Sequence, residues 1–437
     1  MKDILAVPLP LASADSCAPG TRCQRFFLDV LRQFQVGKLE LTMPDGQRHV
    51  YGDAGWSGPV ARMAIFQHRF FRRVILHGEI GFGEAYVDGD WESDDPAAVV
   101  AFFIRNVEHN PSLSGSRVKV WWFNTFRALA RFGHWARRNT PANSRKNIHE
   151  HYDLSNAFYG QWLDATWTYS SAYFTPGARG LEAAQEEKYR RLCERLQFQP
   201  GQHVLEIGCG WGGFALFAAQ HYGVKVTGLT ISEEQLKKGR ERVAQAGLSD
   251  QIDLKFCDYR EHQGQYDAIV SIEMLEAVGH QFLPQFTAQI ERLLKRDGVV
   301  GIQVITSPDG RYRQGRKSAD WIKKHIFPGG QLPSVSALNQ AFIKTGELYL
   351  QHLESFGLHY SQTLRLWRER FEARWDAIAP LGFDEDFRRK WRYYLAYCEA
   401  AFAQRNINVV HLTYARPNNQ TFALAGEKMS LPARERI

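Results

Sequence analysis

From about residue 185 onward, short apolar runs alternate with amphipathic stretches at helical spacing. This is the pattern of strands buried on both faces and of the helices that cover them. The runs 203–207, 224–229, 252–256, 266–271 and 298–305 are predicted strands, with helices filling the gaps. The alternation predicts an α/β fold with a doubly wound, Rossmann-like parallel sheet. A helical stretch from 361 to about 405 and a strand-like Asn408–Tyr414 close the pattern.

The first part of the chain reads differently. Two short alternating segments between Leu39 and Tyr51 flank Pro44-Asp45-Gly46, a hairpin signal. Basic and apolar residues mix from Val60 to Ile80, and Pro96 opens a helix through Phe103. These features predict a small α+β domain over 1–110, with about 25 weakly ordered residues at its start. Residues 111–147 read as a connector in which aromatics such as Trp121, Trp122 and Trp135 interleave with Arg117, Lys119 and Arg131. A basic amphipathic helix of that kind suits an anionic membrane surface, each cation contributing about 1 kcal/mol. A helix docked on the next domain with its charges in water fits equally well.

Composition narrows the classes. At 437 residues the chain exceeds one ordinary core, so two domains are expected. The aromatic surplus of 12 Trp, 17 Tyr and 28 Phe fits a large core and also a greasy substrate. Net charge is +7 and the isoelectric point about 9.0, which points to an acidic partner if to any. The six cysteines are scattered and form no CxxC, so neither a zinc site nor a disulfide framework is expected, and no metal site. No apolar run approaches 18 residues, and the N-terminus lacks the layout of a signal peptide, so a cytoplasmic protein is expected.

The segment with the most chemistry is Val204-Leu205-Glu206-Ile207-Gly208-Cys209-Gly210-Trp211-Gly212-Gly213. A strand ends in an acid and breaks into a glycine turn, where a nucleotide-like ligand can lie against bare backbone. The spacing is GxGxG rather than GxGxxG, and the second strand does not end in the acid expected for an NAD ribose. S-adenosylmethionine, which has no pyrophosphate, suits this turn better than a dinucleotide.

Further motifs carry a resemblance. They are His151-Tyr152-Asp153-Leu154-Ser155-Asn156, Thr168-Tyr169-Ser170-Ser171-Ala172-Tyr173-Phe174, Gly228-Leu229-Thr230-Ile231-Ser232, Glu276-Ala277-Val278-Gly279-His280, Ile326-Phe327-Pro328-Gly329-Gly330 and Tyr360-Ser361-Gln362-Thr363-Leu364. In this order, over roughly 145 to 415, the chain resembles the cyclopropane-fatty-acyl-phospholipid synthases and mycolic acid methyltransferases. The resemblance makes 148–437 an S-adenosylmethionine-dependent methyltransferase domain with lipid-binding helical elements. It implies that the cofactor is held at Tyr169, Ser170, Gly208, Gly210, Thr230, Ile231, Gln235 and Tyr259. Gln235 would replace the missing ribose acid, Tyr259 would stack on adenine and Asp258 would accept from its amine.

The chemistry implied is methyl(ene) transfer to the double bond of an unsaturated phospholipid acyl chain, giving a cyclopropane. A carbocation must be shielded from water and deprotonated. Tyr173, Phe174, Trp167 and Tyr360 are candidates to face it. The resemblance assigns the base to bicarbonate, held by Ser171, Glu276, Gln303, the backbone of Ile305, and Tyr360. Two positions depart from the family: a cysteine is replaced by Ser171 and a histidine by Gln303. Neither replacement titrates near neutral pH. The departures leave open C-methylation without ring closure, with a methyl-branched or methylene product.

The expected setting is peripheral, at the inner face of the membrane, with a homodimer left open. A nucleic-acid methyltransferase is disfavoured, since no base-flipping motif is present and the basic residues interleave with aromatics. Two rival classes stay open: a methyltransferase of small molecules, and a lipid-binding protein with a decayed site.

Overall fold

The computed structural model describes residues 21–109, 154–177, 180–316, 318, 320–419 and 422. The basic aromatic connector 111–147 lies outside the described residues. The chain divides into two compact units: 1–138, 317–329 and 357–407 form the first, and 139–316, 330–356 and 408–437 the second. The helices of 357–407, read from sequence as part of the methyltransferase domain, cluster with the N-terminal residues.

In the first unit, β1 (Lys38–Thr42) and β2 (Arg48–Gly52) form the expected hairpin. Asp45 Oδ1 accepts from Gln47 N at 3.0 Å, the side-chain turn bond that Asx residues favour. The sequence pattern predicts no strand at 60–65, yet β3 (Val60–Ile65) pairs parallel to β1 and is followed in the sheet by β4 (Trp91–Glu92). The sheet order is β2-β1-β3-β4. Helices Arg69–Val87, Pro96–His109, Gly357–Ala373 and Glu385–Ala403 belong to this unit. The helix opened by Pro96 thus runs past Phe103. Asp384 starts the last helix by accepting from Phe387 N at 2.8 Å, an N-cap. Arg389 ties that helix to the sheet through Tyr86 O at 2.7 Å and Glu92 Oε2 at 2.5 Å.

The second unit holds a seven-stranded sheet in the order β10-β11-β9-β8-β5-β6-β7. The members are β5 (His203–Ile207), β6 (Lys225–Thr230), β7 (Ile252–Phe256), β8 (Tyr266–Ile272), β9 (Leu294–Thr306), β10 (Tyr349–Ser355) and β11 (Asn408–Ala415). β9, β8, β5, β6 and β7 run parallel, as expected. The sheet is nevertheless mixed, because β11 pairs antiparallel to β9 and the unpredicted β10 antiparallel to β11. Val204 and Leu205 go into different apolar clusters, as neighbours on a strand must when both faces are covered. One cluster takes Phe214 and Ala218 from helix Gly213–Tyr222; the other takes Phe286 and Ile290 from helix Leu283–Leu293.

Candidate active site

A cavity of about 170 Å³ opens at the carboxyl ends of β5, β6, β7 and β8, where open α/β sheets bind ligands. Tyr169, Ser170, Gly208, Gly210, Thr230, Ile231, Gln235, Asp258 and Tyr259, the residues assigned to the cofactor, all line it.

The glycine turn shapes its floor. Gly208, Gly210 and Gly212 have φ of 85°, 52° and 79°, the left-handed region where a Cβ is costly. A Cβ on Gly208 would stand 2.9 Å from Met274 Cγ. Glu206 lies in the wall, and its buried Oε2 has no hydrogen-bond partner among the described residues. An orphaned carboxyl oxygen calls for a hydrogen-bond partner from a ligand. Burial drives the Glu206 carboxyl well above its usual range, against the opposing charge of Lys188.

Gln235 reaches the cavity because Ser232 caps helix Glu233–Gln245, accepting from Gln235 N at 3.3 Å. Thr230 Oγ1 donates to Gln235 Oε1 at 3.0 Å, so the carboxamide keeps its N–H groups for other acceptors. Asp258 accepts from Arg260 on both oxygens, Nε at 2.8 Å and Nη2 at 2.5 Å, which orients the carboxylate and leaves it lone pairs for a further donor. Tyr259 packs edge-on against Phe286 at 5.5 Å.

The loop carrying Tyr169, Ser170 and Ser171 is fixed from helix Gly180–Arg195. Gln185 Nε2 donates to Ser170 O at 2.9 Å and Lys188 Nζ to Ser170 Oγ at 2.7 Å. Tyr169 packs at 5.6 Å from Trp162. Of the aromatics considered for the cation, Trp167 lines the cavity. Tyr173 instead donates to Glu354 Oε1 at 2.9 Å and carries the Arg191 guanidinium 4.0 Å over its ring.

Two of the residues assigned to the anion, Ser171 and Gln303, meet at a residue to which the sequence analysis gives no role, Glu273. Its Oε1 accepts from Ser171 N at 2.9 Å and from Gln303 Nε2 at 2.7 Å. Its backbone N–H donates to Gln303 O at 2.8 Å, and its φ of 50° is unusual for a residue with a Cβ. Gln303 Nε2 also donates to Ser171 O at 3.3 Å, and Gln303 Oε1 lies 2.9 Å from His411 Nε2. Ser171 Oγ donates to Ala172 O at 3.0 Å. Glu276 Oε1 accepts from Ile305 N at 2.5 Å, while its sealed Oε2 has no partner among the described residues. Burial, reinforced by Glu273, pushes Glu276 up to about 8. Tyr360 belongs to the first unit, where it packs 4.5 Å from Phe402.

A doubly wound sheet with a strand–glycine-turn–helix cavity at its strand ends defines a class I S-adenosylmethionine-dependent methyltransferase. The family model for mycolic acid cyclopropane synthetase matches residues 139–412, and the chain belongs to that family, whose members methylate unsaturated fatty acyl chains. It is 40% identical over 392 residues to the tuberculostearic acid methyltransferase UfaA1 of Mycobacterium tuberculosis, covering 84% of this chain and 87% of that one. It is 36% identical to the cyclopropane-fatty-acyl-phospholipid synthase of Escherichia coli K12, covering 79% and 86%. The crystal structure of the mycolic acid cyclopropane synthase CmaA1 with S-adenosylhomocysteine and CTAB superposes with a TM-score of 0.57 at 30% identity, covering 62% of this chain and 97% of that one.

Proposed function

We propose that the protein methylates the double bond of an unsaturated acyl chain on a membrane phospholipid and resolves the cation without closing a ring. The product carries a methylene group, or a methyl branch beside a shifted double bond. One observation supports this choice over a cyclopropane: the donors that would hold an anionic base are turned onto protein acceptors. Both Gln303 N–H groups go to Glu273 and Ser171 O, Ile305 N goes to Glu276, and Ser171 Oγ goes to Ala172 O. The 40% identity to a relative named a methyltransferase favours the same reading.

When bound, S-adenosylmethionine supplies an electrophilic methyl group. The glycine turn, Tyr169, Ser170, Thr230, Ile231, Gln235, Asp258 and Tyr259 would hold it, and the orphaned Glu206 Oε2 would take one of its donors. The acyl π bond would form the new C–C bond to that methyl as the methyl–sulfur bond breaks with its electron pair left on sulfur, so that the positive charge passes to the adjacent chain carbon. Trp167, in the cavity wall, helps to exclude water from that charge. A hydride moves from the methylated carbon to the cationic one, and a proton then leaves the methyl group as a methylene forms. Glu273, a carboxylate in the wall, is the proton acceptor. Loss of a chain proton instead gives the branched alkene.

The setting follows from the substrate and the net charge of +7: peripheral association with the anionic inner membrane face, in the cytoplasm, without nucleic acid. Among the described residues no helix is long and apolar enough to cross a membrane.

The test is incubation of the purified protein with S-adenosylmethionine and vesicles of monounsaturated phospholipid, with proton NMR of the released fatty acids. Vinylidene or branched-alkene resonances are expected. Ring-methylene resonances as the sole product would overturn the proposed outcome in favour of cyclopropane synthesis. Absence of any lipid product, with transfer to a free small acceptor, would overturn the substrate class.

A further inference from the structure

We infer that His411 is a positioning residue for the reaction: through Gln303 it fixes the Glu273 carboxylate in place. The inference rests on the role of Glu273 proposed above.

His411 stands directly opposite Gln303 in the antiparallel β11–β9 register, and its Nε2 lies 2.9 Å from Gln303 Oε1. The ring is 3% exposed, and burial holds it neutral, its pKa down at about 3. A neutral imidazole has one N–H, and facing an amide oxygen that hydrogen belongs on Nε2. The ring is also seated: Phe356 meets it edge-on at 4.6 Å and is itself tied by Phe356 N to Val409 O at 3.0 Å.

The Nε2–H of His411 therefore holds the Gln303 amide in the orientation that its other two partners require. With the oxygen toward His411, both Gln303 N–H groups meet acceptors, Glu273 Oε1 and Ser171 O. The flipped amide would set its oxygen against a carboxylate and a carbonyl, two repulsive pairs. The backbone of Gln303 holds Glu273 as well, at 2.8 Å, so one residue grips both the main chain and the side chain of a residue with φ of 50°. His411 contributes no atom to the cavity wall, so it acts through Gln303 and touches neither cofactor nor substrate.

The experiment compares His411→Phe, which keeps a ring against Phe356 but has no donor, with His411→Gln, which restores an N–H. His411→Phe is expected to keep S-adenosylhomocysteine affinity within about twofold while kcat falls about tenfold or more at unchanged KM. His411→Gln is expected to recover kcat to within about threefold of wild type. Wild-type kcat in His411→Phe, or equal loss in both variants, would overturn the role of the donor. A measurement on the unaltered protein stands beside these should a variant fold poorly. Nitrogen NMR of the labelled histidines is expected to show His411 as the neutral Nε2–H tautomer, and an Nδ1–H tautomer or an imidazolium at neutral pH would refute the inference. Product identity is scored separately, so a cyclopropane from wild type would sink the proposed product without deciding the role of His411.

Discussion

Lys188, wholly buried, donates to Ser170 Oγ at 2.7 Å and so ties a helix to the loop that walls the cavity. Burial lowers its pKa to about 7, while Glu273, Asp164 and Glu206 act to keep it charged. It stands among carboxyl groups that each keep one orphaned oxygen, Glu206 Oε2 and Asp164 Oδ1 having no hydrogen-bond partner among the described residues. Removing one partner from such a buried set costs about 3–5 kcal/mol. Lys188→Met is therefore expected to melt at lower temperature and to bind S-adenosylhomocysteine at least about tenfold more weakly. Calorimetry showing unchanged melting and unchanged affinity would remove Lys188 from the support of the site.

Gly208→Ala tests the glycine turn directly. The new Cβ would meet Met274 Cγ at 2.9 Å in a backbone with φ of 85°. Left-handed backbone alone costs about 1–2 kcal/mol for a residue with a Cβ. The turn is expected to shift, with cofactor affinity falling at least about tenfold while the fold persists. Titration with S-adenosylhomocysteine measures this, and wild-type affinity would show that the turn does not shape the cofactor site.

Glu276 gives a pH signature. Its carboxyl is raised to about 8 by burial and by Glu273. A folded-state value above the unfolded one means stability that is fully present below the unfolded value, near 4.5, and is lost as pH rises through about 8. Glu276→Gln cannot ionise, so its melting temperature should fall less than that of wild type between about pH 6 and 9. Parallel melting curves across that range would show that Glu276 is not held protonated. In the same variant the backbone N–H of Ile305 keeps an acceptor in the amide oxygen, so cofactor binding should survive.

The legible part of the sequence follows from burial on two faces. β5 is read from Val204-Leu205-Glu206-Ile207 because every one of those positions is buried, which forces a continuous run ending in the acid and the glycines. β10 gives no such signal: it lies at the edge of the sheet, and its Gln351, His352 and Glu354 break any apolar run. β3 is obscured for a related reason, with Arg62 exposed in its middle. Glu273 sits visibly at the end of a strand, but only the fold shows it gripped by Ser171 and Gln303. His411 is out of reach of the sequence altogether, since it meets Gln303 across 108 residues of chain through an antiparallel return that the alternating pattern does not require.

The two departures from the family pattern can be tested together. Ser171 and Gln303 now place their donors on Ala172 O, Glu273 and Ser171 O. In Ser171→Cys with Gln303→His, the amide N–H groups that engage Glu273 and the Ser171 carbonyl disappear, and an imidazole, which can take or give a proton, stands in their place. An anion such as bicarbonate would then find an ionisable donor at position 303 in addition to Glu276, whose Oε2 has no partner among the described residues. A base there would take the methyl proton before a hydride shifts, and the ring would close. The double variant is expected to divert product toward cyclopropane, and more so with added bicarbonate, read as ring-methylene resonances in the released fatty acids. A single change should do less, because Gln303→His alone leaves the Ser171 hydroxyl bound to Ala172 O. An unchanged product ratio in the double variant at saturating bicarbonate would show that these two positions do not set the outcome, and would move the decision to Glu273 itself.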